Sequence, residues 1–151
     1  MIKINQEAFS INNKLSKDLS ALSKEIFLLE QKPDAIVNLK FINDEDIKIL
    51  NQKYRNKSMP TNVLSFENDD ISKAHTNEIG DIAISYEYAA REAEEQKKTF
   101  HDHVMHLTLH GILHLLGYDH QTDEQADVME SKEIKILSQL GYSDPYQDIE
   151  V

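Results

Sequence analysis

His110-Gly111-Ile112-Leu113-His114-Leu115-Leu116-Gly117-Tyr118-Asp119-His120 is the stretch from which the rest of the chain is read. Four positions separate His110 from His114, so on an α-helix the two stand about one turn apart on one face. Leu115 and Leu116 continue the helix, and Gly117 can take the left-handed conformation that closes it. The chain then folds back, which lets His120 swing towards the first two imidazoles. Three neutral nitrogens converging in this way make a transition-metal site, with one Zn²⁺ per chain as the expected ion. Neither a cysteine nor an obvious carboxylate supplies a fourth ligand. That leaves a place for water, the mark of a catalytic rather than a structural site. A lone histidine pair at helical spacing is usually a surface or packed feature, but three joined through a helix-stopping glycine are hard to read that way.

Working outward, Thr99-Phe100-His101-Asp102 resembles a capping box that opens the histidine helix, with Val104, Leu107 and Ile112 inward. His101 and His103 are expected to be exposed near its start. Ser85 caps the preceding helix, which runs through Tyr86, Ala89, Ala90 and Ala93 towards Lys98. Beyond the histidines, Thr122-Asp123-Glu124-Gln125 is a second capping box, opening a helix through Met129, Ile136 and Leu140 that Gly141 ends. Glu78–Ser85 reads as a strand in which Gly80 allows a bulge or a close backbone approach. Val63–Phe66 is another strand, and the run from Glu67 to Asn77, with His75, reads as an exposed connection. Tyr54–Asn62 is a polar loop. Asn43 caps a helix with Ile47, Leu50 and Tyr54 inward, its first turn acidic. Val37, Leu39 and Phe41 alternate as a half-buried strand. Leu15, Leu19, Leu22, Ile26 and Leu29 form an amphipathic helix closed before Pro33, and Ile2 and Ile4 a short first strand. The order β-α-β-α-β-β-α-α-α predicts a single α+β domain over residues 1–151. One mixed sheet of about four strands is surrounded by about five to six helices, with the zinc site on a helix and its following turn.

Composition narrows the function. The formal charge of −11 argues against a protein that holds nucleic acid by bulk electrostatics, so such a substrate needs a local basic patch or a partner that presents it. The absence of cysteine removes disulfides and thiolate metal sites and suits a reducing cytoplasm. No apolar run approaches a membrane span, and Met1-Ile2-Lys3-Ile4-Asn5 does not read as a signal peptide.

A cation on three neutral ligands keeps its full double charge, lowers the pKa of bound water to about 7 and polarises a phosphoryl or carbonyl oxygen. Hydrolysis is the natural reaction class, with the metal-bound water at His110, His114 and His120 as a catalytic group. The H-x-x-x-H-x-x-G-x-x-H spacing is that of the metzincin peptidases, but Gly111 stands where those carry their glutamate base. A phosphodiester needs its developing negative charge neutralised instead, which suits a guanidinium. Of two arginines, Arg55 and Arg91, the first sits with Lys53 and Lys57 in a loop before a strand. By spacing alone it stands only slightly above a solvated loop residue. His106 shares the stripe of His110 and is a candidate to back a ligand or touch substrate, or else a plain packed or solvated histidine. Asp119 is a candidate to orient a ligand imidazole, or a solvated turn residue.

The His110–His120 block resembles the signature of the YbeY endoribonuclease family. Tyr54-Arg55 with Pro60-Thr61-Asn62-Val63-Leu64-Ser65-Phe66 is similar to that family's central motif. Gly80–Ser85 is similar to its following strand, and Leu140-Gly141-Tyr142 with Asp144-Pro145-Tyr146 to its ending. The resemblance runs in order from roughly residue 40 onward and implies a metal-dependent, single-strand-specific endoribonuclease. The implied work is processing of the 3′ end of small-subunit rRNA and ribosome quality control, with ribosomal RNA, the ribosome and assembly factors as partners. It implies His110, His114 and His120 as zinc ligands and Arg55 as a residue needed for activity.

Two other readings compete. One is a ribosome-assembly factor whose zinc only stabilises the fold, which needs a fourth protein ligand, with Asp119 and His106 nearest. The other is a metallopeptidase with Glu124 or Glu130 as base.

Overall fold

Alternating Ile2 and Ile4 form strand β1 (Ile2–Asn5) at the edge of the sheet in a computed structural model that describes residues 1–147. Residues 148–151 of the expected domain lie outside the described residues. The leucine-rich periodic run forms α1 (Asn13–Leu29), capped by Asn12, whose side chain accepts from the Leu15 amide. β2 (Ile36–Ile42) follows, then α2 (Asp44–Arg55), whose cap Asn43 accepts from the Asp46 amide beneath an acidic first turn. Then come β3 (Val63–Glu67), α3 (Asp70–Thr76), β4 (Glu78–Ser85), α4 (Tyr86–Glu95), α5 (Phe100–Leu115) and α6 (Asp123–Gln139). The architecture is α+β, with one mixed sheet in the order β1-β2-β4-β3. β1, β2 and β4 run parallel, and β3 closes the edge antiparallel to β4.

The period-2 alternation of β2 and β4 gives the sheet two different faces. On one, Leu39, Phe41, Ile82 and Ile84 meet Leu19 and Leu22 of α1 and Met105, Leu109 and Ile112 of α5 in the main core. On the other, Ile42, Leu64 and Ala83 receive Ile47 of α2. α2 leaves part of that face open as a groove of about 810 Å³ lined by Lys3, Asn38, Lys40, Tyr54, Phe66 and Asp81.

Ile36 pairs with Glu78 and Val37 with Gly80, so Ile79 is the extra residue of a bulge. Gly80 also allows the close approach expected of it. A Cβ there would collide with the Phe66 carbonyl and stand 2.6 Å from Leu115 Cδ2. Gly117 (φ 102°) and Gly141 (φ 88°) take the left-handed conformation after α5 and α6.

Several expectations need correction. The connection from Glu67 to Asn77 contains the short helix α3, and His75 lies on it, exposed, not in a loop. The helix is one turn to two, too short for a periodic apolar signal. Tyr54 is not inward: it is 57% exposed and touches Phe66 edge-on with ring centroids 5.0 Å apart. Asn51 takes the buried place and donates to the Met59 carbonyl at 2.9 Å. Lys53 and Arg55 belong to the last turn of α2, and the loop begins only at Asn56, which is left-handed. α4 stops at Glu95, short of Lys98, because Lys97 is left-handed too.

Candidate metal centre

α5 carries His110 and His114 one turn apart, and the turn after Gly117 brings His120 to them. One ligand nitrogen from each of the three lies within 4.8 Å of the others. The Nε2 atoms of His110 and His114 are 3.2 Å apart, and the His120 ring centre stands 5.4 Å and 4.9 Å from theirs. Burial first, then the neighbouring imidazoles, hold the pKa of His114 below its usual value, so the ring stays neutral and able to bind a cation. His110 and His114 are half-buried and His120 is exposed, so the cluster opens to solvent.

The donor set fits a divalent transition metal. Nitrogen ligands of one type converge, and among the described residues no fourth His, Cys, Asp or Glu joins the group. Asp119 spends Oδ1 on the His120 backbone amide at 2.8 Å, stiffening the turn. His106 points Nε2 at Glu133 Oε2, 3.3 Å away, and at the Tyr146 hydroxyl, also 3.3 Å away.

Glu133 is the residue that reading the sequence missed. It lies on α6, is completely buried, and accepts from His110 Nδ1 at 2.5 Å through Oε1. Its Oε2 takes His106 and the Tyr146 hydroxyl, which donates a short bond. Burial alone would raise its pKa. The hydrogen bonds from His106 and His110 outweigh that and hold it at about 2, so the group is a carboxylate. Burial and the adjacent carboxylate push the Tyr146 phenol well above its ordinary value, keeping it a donor. The signal was present: Met129, Glu133, Ile136 and Leu140 fall on one helical stripe, and Glu133 is an acid on that inward face.

The two histidines expected at the surface are tied down. His103 is 2% exposed, with Nε2 2.6 Å from Glu92 Oε1, which also accepts from Asn62 Nδ2 at 2.9 Å. His101 Nε2 lies 2.8 Å from Asp18 Oδ2 and 3.1 Å from the Tyr142 hydroxyl. The acidic partners come from α1 and α4, which is why the local sequence of α5 does not reveal them.

Gly111 packs against the sheet. A Cβ there would stand 2.9 Å from Ile82 Cδ1 and 3.1 Å from Ser65 Oγ, and the Ser65 hydroxyl donates to the Gly111 carbonyl at 3.3 Å. The position at which a metzincin carries its base therefore faces β3 and β4, not the histidines. Glu124 and Glu130 are exposed on α6.

Arg91 is held by Asp44 at 2.8 Å, whereas Arg55 is exposed and has no ion pair among the described residues. Arg55 ends the helix on the opposite face of the sheet from α5, and among the described residues no hydrogen bond joins it to the histidine cluster. Lys53, Arg55 and Lys57 together form an exposed basic turn on this acidic chain.

A family model described as Endoribonuclease YbeY matches residues 1–141. A Coxiella burnetii protein named Endoribonuclease YbeY is 46% identical over 122 residues, covering 81% of this chain and 80% of the relative. One of the same name from Alteromonas mediterranea is 41% identical over 141 residues, covering 93% and 89%. A solution structure of a Thermotoga maritima protein superposes with a TM-score of 0.62 at 27% identity, over 97% of this chain and 99% of that one.

Proposed function

The chain belongs to the YbeY endoribonuclease family, and from that premise we propose that it is a zinc-dependent, single-strand-specific endoribonuclease. Its work is maturation of the small-subunit rRNA 3′ end and ribosome quality control in the cytoplasm. The observation that carries this reading is the convergence of His110, His114 and His120 with no fourth protein ligand among the described residues.

These three residues would hold the zinc. When bound, it supplies a Lewis acid to a phosphoryl oxygen and an acidified water. Glu133 steadies His110 from behind. Arg55, helped by Lys53 and Lys57, reaches the RNA backbone from the basic turn that ends α2 and holds the strand by its phosphates, a contact that cleavage needs. One basic turn on a chain of net charge −11 gives weak affinity for free RNA, so ribosomal partners and assembly factors present the strand. No helix among the described residues is long and apolar enough to cross a membrane.

The assembly-factor reading has no fourth ligand among the described residues, since neither Asp119 nor His106 joins the histidine group. The peptidase reading lacks support for its base, since Glu124 and Glu130 are exposed on α6 and neither joins the histidine group among the described residues.

The test is cleavage of one RNA sequence as single strand and as duplex, before and after chelation and again with zinc restored. Cleavage of the single strand alone, lost on chelation and recovered with zinc, is the expected result. Hydrolysis that survives chelation or cuts both forms equally would overturn it.

A further inference from the structure

The two nitrogens of His110 face different partners. Nδ1 is 2.5 Å from Glu133 Oε1, and Nε2 is 3.2 Å from His114 Nε2. Glu133 is completely buried, with Oε1 facing His110 Nδ1 and Oε2 facing both His106 Nε2 and the Tyr146 hydroxyl that donates to it. A carboxylate accepts and never donates, so the His110 nitrogen facing it must carry hydrogen. The other nitrogen is then left with its lone pair aimed at the cluster. Glu133 comes from a different helix, so this arrangement is set by the docking of α6 on α5.

We propose that Glu133 is the positioning residue of the metal centre: its carboxylate holds His110 in the Nδ1–H tautomer with Nε2 presented to the cation. The inference rests on the metal-centre reading above. Ligand imidazoles commonly donate their second N–H to such a group, which fixes the ring and raises its basicity. Glu133 also holds Tyr146, so a competing account is that it merely anchors the C-terminal segment.

The experiment compares full-length wild type, Glu133→Gln, Glu133→Ala and Tyr146→Phe. Zinc affinity is measured by competition with a chromophoric chelator, and the tautomer of His110 from imidazole ¹⁵N shifts in metal-free protein. Wild type is expected to show Nδ1–H. Glu133→Ala is expected to lose that preference and to bind zinc roughly 10- to 100-fold more weakly. Glu133→Gln keeps an acceptor but not the charge and falls between the two. Tyr146→Phe, which removes the anchor alone, stays within about twofold of wild type. If Glu133→Ala does not fold, the near-isosteric Glu133→Gln decides the matter. Zinc affinity and tautomer unchanged in Glu133→Gln, or an equal loss in Tyr146→Phe, would overturn the proposal. Wild type that binds no zinc would sink the metal-centre reading instead, while the tautomer measurement would still judge the role of Glu133.

Discussion

Gly111 of α5 lies so close to Ile82 of β4 that a single added carbon would stand 2.9 Å from the Ile82 Cδ1 atom. Ile82 is fully buried in an interior strand, so moving its side chain aside means displacing packed neighbours. This contact seats the histidine helix on the sheet.

Gly111→Ala is therefore expected to destabilise the protein. Helix propensity gains about 1 kcal/mol, while overpacking a tight contact costs about 1–3 kcal/mol. The net loss, up to about 2 kcal/mol, is read from the urea midpoint at unchanged slope. A more stable variant would show that α5 can lift from the sheet.

Zinc should stabilise the folded chain, because the three imidazoles converge only when α5 and the turn after it are formed. At free zinc of about 100 times Kd the gain is about 2.7 kcal/mol, visible as a rise in Tm. His114→Ala should lose the rise. An equal rise in that variant would place the metal elsewhere.

Glu92 gives the acid side of the stability profile. Its hydrogen bond with His103 is the largest influence on its pKa; burial works against it and Asn62 assists, and the net result lies below the ordinary 4.5. A lowered carboxylate pKa adds stability fully present above the unfolded value, and that stability is lost as pH falls through the folded one. Glu92→Gln is expected to cost about 1–2 kcal/mol at neutral pH, with the gap to wild type closing as pH drops below about 4.5. Parallel profiles across that range would contradict the assignment.

Much of this molecule was legible in local pattern. Asn43, Ser85 and Thr122 announce their helices through side chains that accept the amide three residues on. The alternation of β2 and β4, and the spacing of His110, His114 and His120, are equally local. What escaped depends on how the elements dock. Glu133 looks like any other acid of an acidic chain until α6 lies against α5. His103 looks like a solvated first-turn residue until Glu92 of α4 meets it. Tyr54 falls on the inward stripe of α2, but α2 does not cover the whole sheet face, so the ring stays exposed. α3 spans too few residues to show a period.

The most direct test of the account measures zinc content and cleavage of a single-stranded RNA carrying a small-subunit 3′ end, side by side. Wild type, Arg55→Ala and His114→Ala are purified in parallel. The account predicts that wild type holds zinc and cuts, Arg55→Ala holds zinc and does not cut, and His114→Ala does neither. A zinc-replete Arg55→Ala protein that cuts like wild type would contradict the role of Arg55. Equal cutting by all three would contradict the enzyme itself.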